Sequence, residues 1–146
     1  MSGAFHWIKV RLVCYATERE DILRDVMSTL LPQGELNITR TEGHHGNPMT
    51  VLEMELTKSR EFKTLFQVLG EEIISDIRGD LDRRVDEDCT LYFRLDKQDA
   101  VKGQYNIVTH GDVISVAAKA VAHPARKEIA MANLDKFFQG CCDHHN

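Results

Sequence analysis

Strict alternation of apolar and polar residues predicts a strand near the start of the chain. Between residues 5 and 15, one face is wholly apolar and comprises Ile8, Val10, Leu12 and Cys14. The other face mixes aromatic rings with cations and comprises Trp7, Lys9, Arg11, Val13 and Tyr15. Such a strand buries its first face in a core and leaves the second for solvent or a partner.

Similar patterns predict five further strands and three main helices. Apolar residues at helical spacing indicate helices that carry residues 22–31, 62–77 and 129–138, and Gly70 is expected to bend or break the second. Runs typical of strands occupy residues 35–41, 49–57, 90–96, 104–109 and 113–122, and residues 97–102 are expected to form one helical turn. This order indicates an α+β fold, with a mostly antiparallel sheet of about six strands and three main helices packed on one face.

Composition places the chain among ordinary globular proteins. It has 146 residues, of which 42% are hydrophobic and 28% charged, which predicts a single domain over residues 1–140 and a frayed tail over 141–146. No apolar run approaches the roughly 20 residues of a membrane helix, and the N-terminus lacks the pattern of a secretory signal. Cys14 and Cys89 are isolated in strand-like runs. Their spacing is not that of a disulfide framework, so we expect a cytoplasmic protein.

The net charge argues against a general attraction to nucleic acid. The formal charge is −5, and both halves of the chain are mildly acidic: 8 cations face 11 acids in residues 1–73, and 10 face 12 in residues 74–146. Any basic surface must therefore be local.

The exposed face of the predicted sheet is the first candidate site. The first strand offers Trp7, Lys9 and Arg11, and neighbouring strands add Tyr92, Arg94 and Lys119. Single-stranded RNA binders stack bases on rings and hold phosphates with cations. The alternative is an ordinary solvated face, in which Glu53 and Glu55 pair with the cations of the first strand.

Two further basic segments are candidates. Arg126 and Lys127 open the last helix, where free backbone N–H groups favour an anion, or they simply point to water. Arg83 and Arg84 can hold phosphate oxygens, or pair with the acids of residues 86–88 to fix a loop.

Metal binding and catalysis have little support in the sequence. Soft ligands occur at His44-His45 and at Cys141-Cys142-Asp143-His144-His145, but adjacent cysteines are not the two-residue spacing of a zinc knuckle. Phosphate-loop, dinucleotide and nucleophile-elbow motifs are absent. We therefore expect neither a cofactor nor a native metal site. A metal-dependent nuclease would need His44, His45 and Asp86 to meet in space.

Four segments together resemble a known family. They are Glu42-Gly43-His44-His45-Gly46-Asn47-Pro48, Asp82-Arg83-Arg84-Val85-Asp86, Tyr92-Phe93-Arg94-Leu95-Asp96-Lys97-Gln98 and Ala122-His123-Pro124-Ala125. Over about residues 5–138 the chain resembles small archaeal RNA-binding proteins described as predicted exosome subunits. The resemblance implies a fold similar to a ribosomal protein that binds the small RNA of the large subunit. It also implies RNA binding and a link to RNA processing or degradation, and it carries over no catalytic residue.

Residue pattern and resemblance together predict a non-catalytic RNA-binding protein, with RNA and exosome-type proteins as partners. The residues expected to contact RNA are Trp7, Lys9, Arg11, Arg83, Arg84, Tyr92, Arg94, Lys97, Lys119, Arg126 and Lys127. Rings would stack bases, and Arg83 and Arg84 would make secondary contacts. The alternative is a protein-interaction or homodimer module, in which the open sheet face buries Trp7, Val13, Val51 and Val121 against a partner.

Overall fold

The structure is a computed structural model, and it describes residues 4–32, 34–42 and 46–142. Its sheet has five strands: β1 (Phe5–Tyr15), β2 (Glu35–Glu42), β3 (Pro48–Leu56), β4 (Thr90–Asp96) and β5 (Val113–Ala120). All neighbours are antiparallel, in the order β2-β3-β1-β5-β4. The predicted α+β class is confirmed.

Six helices accompany this sheet in the described part of the chain. They are α1 (Glu20–Leu30), α2 (Ser59–Leu69), α3 (Glu71–Arg78), α4 (Leu81–Arg84), α5 (Lys97–Val101) and α6 (Lys127–Cys142). Their apolar faces share one core with the apolar face of the sheet. The opposite face of the sheet is left open.

The core forms because alternate residues of each strand are apolar. In β1, Ile8, Val10 and Leu12 are almost fully buried, and β3 and β4 contribute their own alternate positions. Phenylalanine rings fill the space under the helices: Phe66 of α2 lies 4.9 Å from Phe138 and 6.1 Å from Phe93, measured between ring centroids. Edge-to-face packing of such rings stabilises a core beyond the area that it buries.

The predicted sixth strand is wrong. Residues 104–109 form only an isolated bridge, between Ile107 and Leu95 of β4. Two backbone hydrogen bonds hold it, from Asp96 N to Asn106 O and from Val108 N to Arg94 O. The segment reaches the edge of β4 over these few residues because it arrives from the turn at Gly103 and leaves towards the turn at Gly111, both of which have positive φ.

Helix boundaries lie at Gly70 and at Lys127. The predicted break at Gly70 is confirmed, since its φ of +94° ends α2 and α3 begins at the next residue. The last helix begins at Lys127 and continues through Gly140 to Cys142. Cys141 lies in this helix and is buried against the core. Residues 43–45 and 143–146 lie outside the described residues.

None of the helices described is long and apolar enough to cross a membrane.

Candidate nucleic-acid interface

The strand register assembles the candidate residues of the open face into rows. Arg11 of β1 lies between Glu53 of β3 and Ser115 of β5, and Ser115 is followed by Arg94 of β4. The next row reads Glu55, Lys9, Ala117 and Tyr92. A third places Trp7 beside Lys119. The six predicted residues of the first candidate site therefore meet on one surface.

Lys9 and Arg11 are exposed cations, and neither pairs with a carboxylate in the described part of the chain. The register sets them opposite Glu55 and Glu53, as the salt-bridged alternative requires. Among the described residues, however, no ion pair within 4.0 Å involves either cation. Lys9 Nζ instead lies 4.8 Å from the centroid of the Trp7 ring. Both charges thus stay available to an anion.

Strands β4 and β5 provide a second set of groups. The Tyr92 side chain is exposed, and the Arg94 guanidinium donates a hydrogen bond to Thr109 O at 2.9 Å. Lys119 Nζ donates to the backbone carbonyl of Asp88, which fixes its position on the face. Ser115 and Ala117 separate β1 from β4 with short side chains, so the surface is lower between the two cationic strands.

Charge divides the open face into two halves. Glu35, Glu53 and Glu55 lie on the β2 and β3 side, whereas Lys9, Arg11, Lys119 and Arg94 lie on β1, β5 and β4. The formal negative charge of the chain therefore coexists with a local basic surface. Short-range contact with a polyanion depends on that surface more than on the total charge.

A groove of about 680 Å³ extends from this basic half to the outer side of β4. Its walls include Lys9, Arg11, Tyr92 and Arg94 at one end, with Ser115 and Ala117 below them. The other end is formed by α4 and the start of α6, through Asp80, Asp82, Arg83, Arg84 and Lys127. The groove thus connects the cations of β1 with Arg83 and Arg84 of α4, which are more than 70 residues away in the sequence.

Ion pairs organise the α4 end, but the arginines pair with Asp80 and not with the predicted acids of residues 86–88. Asp80 lies 3.6 Å from Arg84 and 4.0 Å from Arg83, and Lys127 Nζ lies 3.4 Å from Asp82. Arg84 Nε is buried and has no hydrogen-bond partner in the described protein. Asp86 also lines this end, so three carboxylates stand against three cations and the end is close to neutral.

Arg126 lies away from the groove. It is exposed and precedes the first residue of α6, where its backbone carbonyl accepts from Ala130 N. Lys127 already faces the carboxylate of Asp82, so the described contacts explain one of the two cations at this helix start without a bound anion.

Lys97 differs most from its predicted role. Its side chain is 0% exposed, and its ammonium donates to Glu18 Oε1 and to Val13 O, both at 2.7 Å. It also lies 3.0 Å from Asp112 Oδ1 and 5.0 Å from the centroid of the Tyr15 ring. A phosphate cannot reach a charge that is enclosed in this way. Lys97 instead ties the start of α5 to the end of β1, so it is not part of the surface site.

The surroundings of Lys97 also shift two titratable groups. Burial works to raise the pKa of Glu18, but hydrogen bonds from Lys97 and from Tyr15 N outweigh it and hold that pKa below its usual range. Burial raises the pKa of the nearby Cys14 thiol, and the charge of Glu18 raises it further. The raised pKa of Cys14 favours its neutral thiol, and a buried neutral thiol is a poor nucleophile.

A second charged group fastens α1 to the sheet. Glu20 accepts hydrogen bonds from Arg40 of β2 at 2.8 Å and from Arg24 at 2.8 Å. These bonds lower the pKa of Glu20 from 4.5 to about 2, and the bond from Arg40 has the largest effect. The residue at the cap of α1, Arg19, makes no side-chain capping hydrogen bond, and Glu20 in the first turn is used in this network.

Within the described ranges, no group of three or more His, Cys, Asp or Glu side chains is placed to hold a metal ion. His44, His45 and the residues after Cys142 are outside those ranges, so the nuclease arrangement of His44, His45 and Asp86 stays untested.

Sequence reasoning missed the groove itself. Its lining includes Val108, Thr109 and the small residues of β5, none of which carries a chemical motif. The one available signal was the row of short side chains at Ser115 and Ala117, in a strand that otherwise resembles a central one.

The sequence matches a known protein family over most of its length. The model of a family described as RNA binding matches residues 7–120. The RNA-binding protein PAB1135 of Pyrococcus abyssi is 30% identical over 145 residues, which cover 92% of this chain and 94% of that protein.

Solved structures share the fold. Mth689, a DUF54 protein from Methanothermobacter thermautotrophicus, is 34% identical and has a TM-score of 0.76, covering 92% of this chain and 98% of that one. Protein AF2318 from Archaeglobus fulgidus is also 34% identical, with a TM-score of 0.75 and coverage of 94% and 99%. These two proteins therefore share the overall fold of this chain.

Proposed function

Because this chain belongs to the RNA-binding family, we propose that it binds RNA on the basic half of its open sheet face. The observation that carries this proposal is the pairing register, which sets Lys9 and Arg11 of β1 across a low strand from Tyr92 and Arg94 of β4. A polyanion that lies along this surface meets cations on both sides.

The state of these cations supports the proposal. Several other basic residues are already paired: Arg24 and Arg40 share Glu20, and Arg78 contacts Asp135 at 2.9 Å. Lys9 and Arg11 have no such partner among the described residues, although glutamates stand on the neighbouring strand. Each can release counterions from RNA, which makes binding favourable at low salt.

RNA affinity measured against salt concentration tests the proposal. Fluorescence anisotropy of a labelled 12-nucleotide RNA gives the slope of log affinity against log salt, and each phosphate contact to a single strand contributes about 0.7 to it. The Lys9→Ala/Arg11→Ala double variant is expected to lower that slope by roughly 1.4. The same contacts predict a loss of roughly 10- to 30-fold in affinity near 0.1 M salt.

A matched control separates this surface from total charge. Arg60→Ala/Lys63→Ala removes the same two charge types from exposed positions of α2, on the helical side of the molecule. The control is expected to bind as the unchanged protein does. Equal losses in both double variants would show that only net charge matters, and unchanged binding in the β1 variant would remove the sheet face from consideration.

The proposed function is binding without a catalytic step. It is supported by the absence of recognisable catalytic motifs in the sequence. Labelled RNA incubated with the protein and Mg²⁺ should remain intact on a denaturing gel. Cleavage that co-purifies with the protein, and that is lost in the Asp86→Asn variant, would contradict this part.

A link to exosome-type RNA processing is a separate part of the proposal, supported by the resemblance of the four sequence segments. Affinity-tagged protein from its native cells should retain RNA-processing subunits after nuclease treatment. If these subunits are lost when the RNA is digested, the two would be linked only by binding the same RNA molecules.

A contact between two copies of the chain through the same face is the alternative. Val13 and Val51 are paired in register beside Tyr15, whose ring is 45% exposed, and they form an apolar strip next to the charged rows. Analytical ultracentrifugation at 0.05 and 0.5 M salt distinguishes the two functions. A dimer that persists at high salt and is broken by Val13→Lys would favour self-association.

A further inference from the structure

We propose that the groove beside β4 takes one unpaired nucleotide, and that the protein therefore prefers single-stranded or bulged RNA over a continuous duplex. This inference rests on the RNA binding proposed above and names the form of RNA that the same site selects. The groove, of about 680 Å³, combines an exposed aromatic ring, a floor of short side chains and an end lined by charged side chains.

Tyr92 provides a free stacking surface. Its side chain is 50% exposed at the mouth of the groove, and no other ring in the described part of the chain contacts it. Trp7 differs, because the ammonium of Lys9 already lies over its ring. A base can therefore stack on Tyr92 without displacing a protein group, whereas Trp7 is partly covered.

The floor and walls of the groove suit a flat ring with an attached phosphate. Ser115 and Ala117 leave the central strand low between β1 and β4. Those outer strands are two strand spacings apart, roughly 9–10 Å. Arg11 stands on one side and Arg94 on the other, so a phosphate on either flank of the inserted base meets a guanidinium.

The α4 end of the groove suits a base edge better than a phosphate. Three carboxylates balance three cations there, so an additional anion gains little; the acids are Asp80, Asp82 and Asp86, and the cations are Arg83, Arg84 and Lys127. The Arg83 side chain, which is 83% exposed, offers N–H donors there, and the carboxylates are acceptors. The edge of an unpaired base carries both donors and acceptors, which matches this mixture.

A continuous duplex cannot use these groups. Its bases are stacked on each other and paired, so Tyr92 has no ring face to contact, and only the rim cations reach the phosphates. Unpaired nucleotides gain the stacking contact as well, and this contact alone corresponds to a difference of about 5- to 150-fold in affinity per base.

Three RNAs of matched length and label test the inference: a 12-nucleotide single strand, the same strand in a blunt duplex, and that duplex with one bulged nucleotide. We expect the single strand and the bulged duplex to bind at least about tenfold more tightly than the blunt duplex. Tyr92→Leu should remove most of this difference, while Tyr92→Phe, which keeps the ring, should preserve it. Circular dichroism checks that both variants are folded.

The outcomes separate this inference from the proposed function. Equal binding of all three RNAs, or a Tyr92→Leu variant that still discriminates, would overturn the choice of unpaired RNA while RNA binding stands. Binding of none of the three at low salt would overturn both.

Discussion

Replacement of Lys97 by methionine provides a sharp test of how this protein uses its charges. The ammonium is fully buried, within 3.0 Å of Val13 O, Glu18 Oε1 and Asp112 Oδ1. Methionine keeps a similar volume but leaves a carbonyl and two carboxylates without their shared donor. The variant thus removes one partner of a buried ion pair without creating a large cavity.

The expected loss follows from the exposure of the groups that remain. Breaking a fully buried pair costs about 3–5 kcal/mol, but the Glu18 and Asp112 side chains are 20% and 39% exposed and regain some hydration. The carbonyl of Val13 loses a donor as well, and an unsatisfied buried acceptor costs about 1–3 kcal/mol. We therefore expect Lys97→Met to lower the free energy of unfolding by about 2–4 kcal/mol.

Urea denaturation followed by circular dichroism measures this loss as a fall of about 1–2 M in the midpoint. The exposed Lys102→Met is the control, and it should stay within about 0.5 kcal/mol of the unchanged protein. Below the transition, the variant should retain the RNA salt dependence of the unchanged protein, because Lys97 does not reach the surface. A variant as stable as the unchanged protein would refute the structural role, and a reduced salt slope would place Lys97 back among the RNA contacts.

Two further predictions concern Glu20 and the glycines. The pKa of Glu20 is lowered by folding, so its stabilising effect is complete above pH 4.5 and is lost as the pH falls through about 2. Glu20→Gln should therefore have a lower melting temperature at pH 7, with the difference shrinking towards zero near pH 2. A difference independent of pH would contradict the ion pairs with Arg40 and Arg24. Gly70→Ala should cost about 1–2 kcal/mol because φ is +94° there and only the backbone is strained. Gly140→Ala lies in helical backbone with open space around a Cβ, so it should stabilise by about 0.5–1 kcal/mol in the same thermal unfolding assay. Equal shifts in both glycine variants would refute the conformational argument.

Local patterns predicted the elements that depend on local physics. The alternation of Ile8, Val10 and Leu12 predicts a half-buried strand wherever it occurs, and the structure confirms it. The break at Gly70 was predictable because this residue weakens any helix. Residues 104–109 were not, since a strand exists only where a partner edge is available over several residues, and the edge of β4 is bridged only at Ile107.

The residues of the candidate site also fall into those that local sequence predicts and those that depend on long-range contacts. Lys9 and Arg11 could be predicted as surface residues because side chains two positions apart in a strand point to the same face of the sheet. Lys97 has an ordinary surface-like sequence context, and its burial results from contacts with Val13 and Glu18, which lie 84 and 79 residues earlier in the chain. The groove depends on α4, β4 and the start of α6 coming together, and such long-range geometry has no signature in any single segment.

In strand β5, the residues that would best stabilise the strand differ from those that keep the sheet face accessible. Central strands are usually richest in valine and isoleucine, whereas alanine is depleted in strands. At its two central open-face positions this strand has Ser115 and Ala117, which pack poorly but keep the space between β1 and β4 free. Selection for stability alone would favour branched side chains at these two positions, and those side chains would fill the space between β1 and β4. These weak strand-forming residues in an interior strand thus keep the surface accessible, so substitutions here that raise stability would reduce access for a ligand.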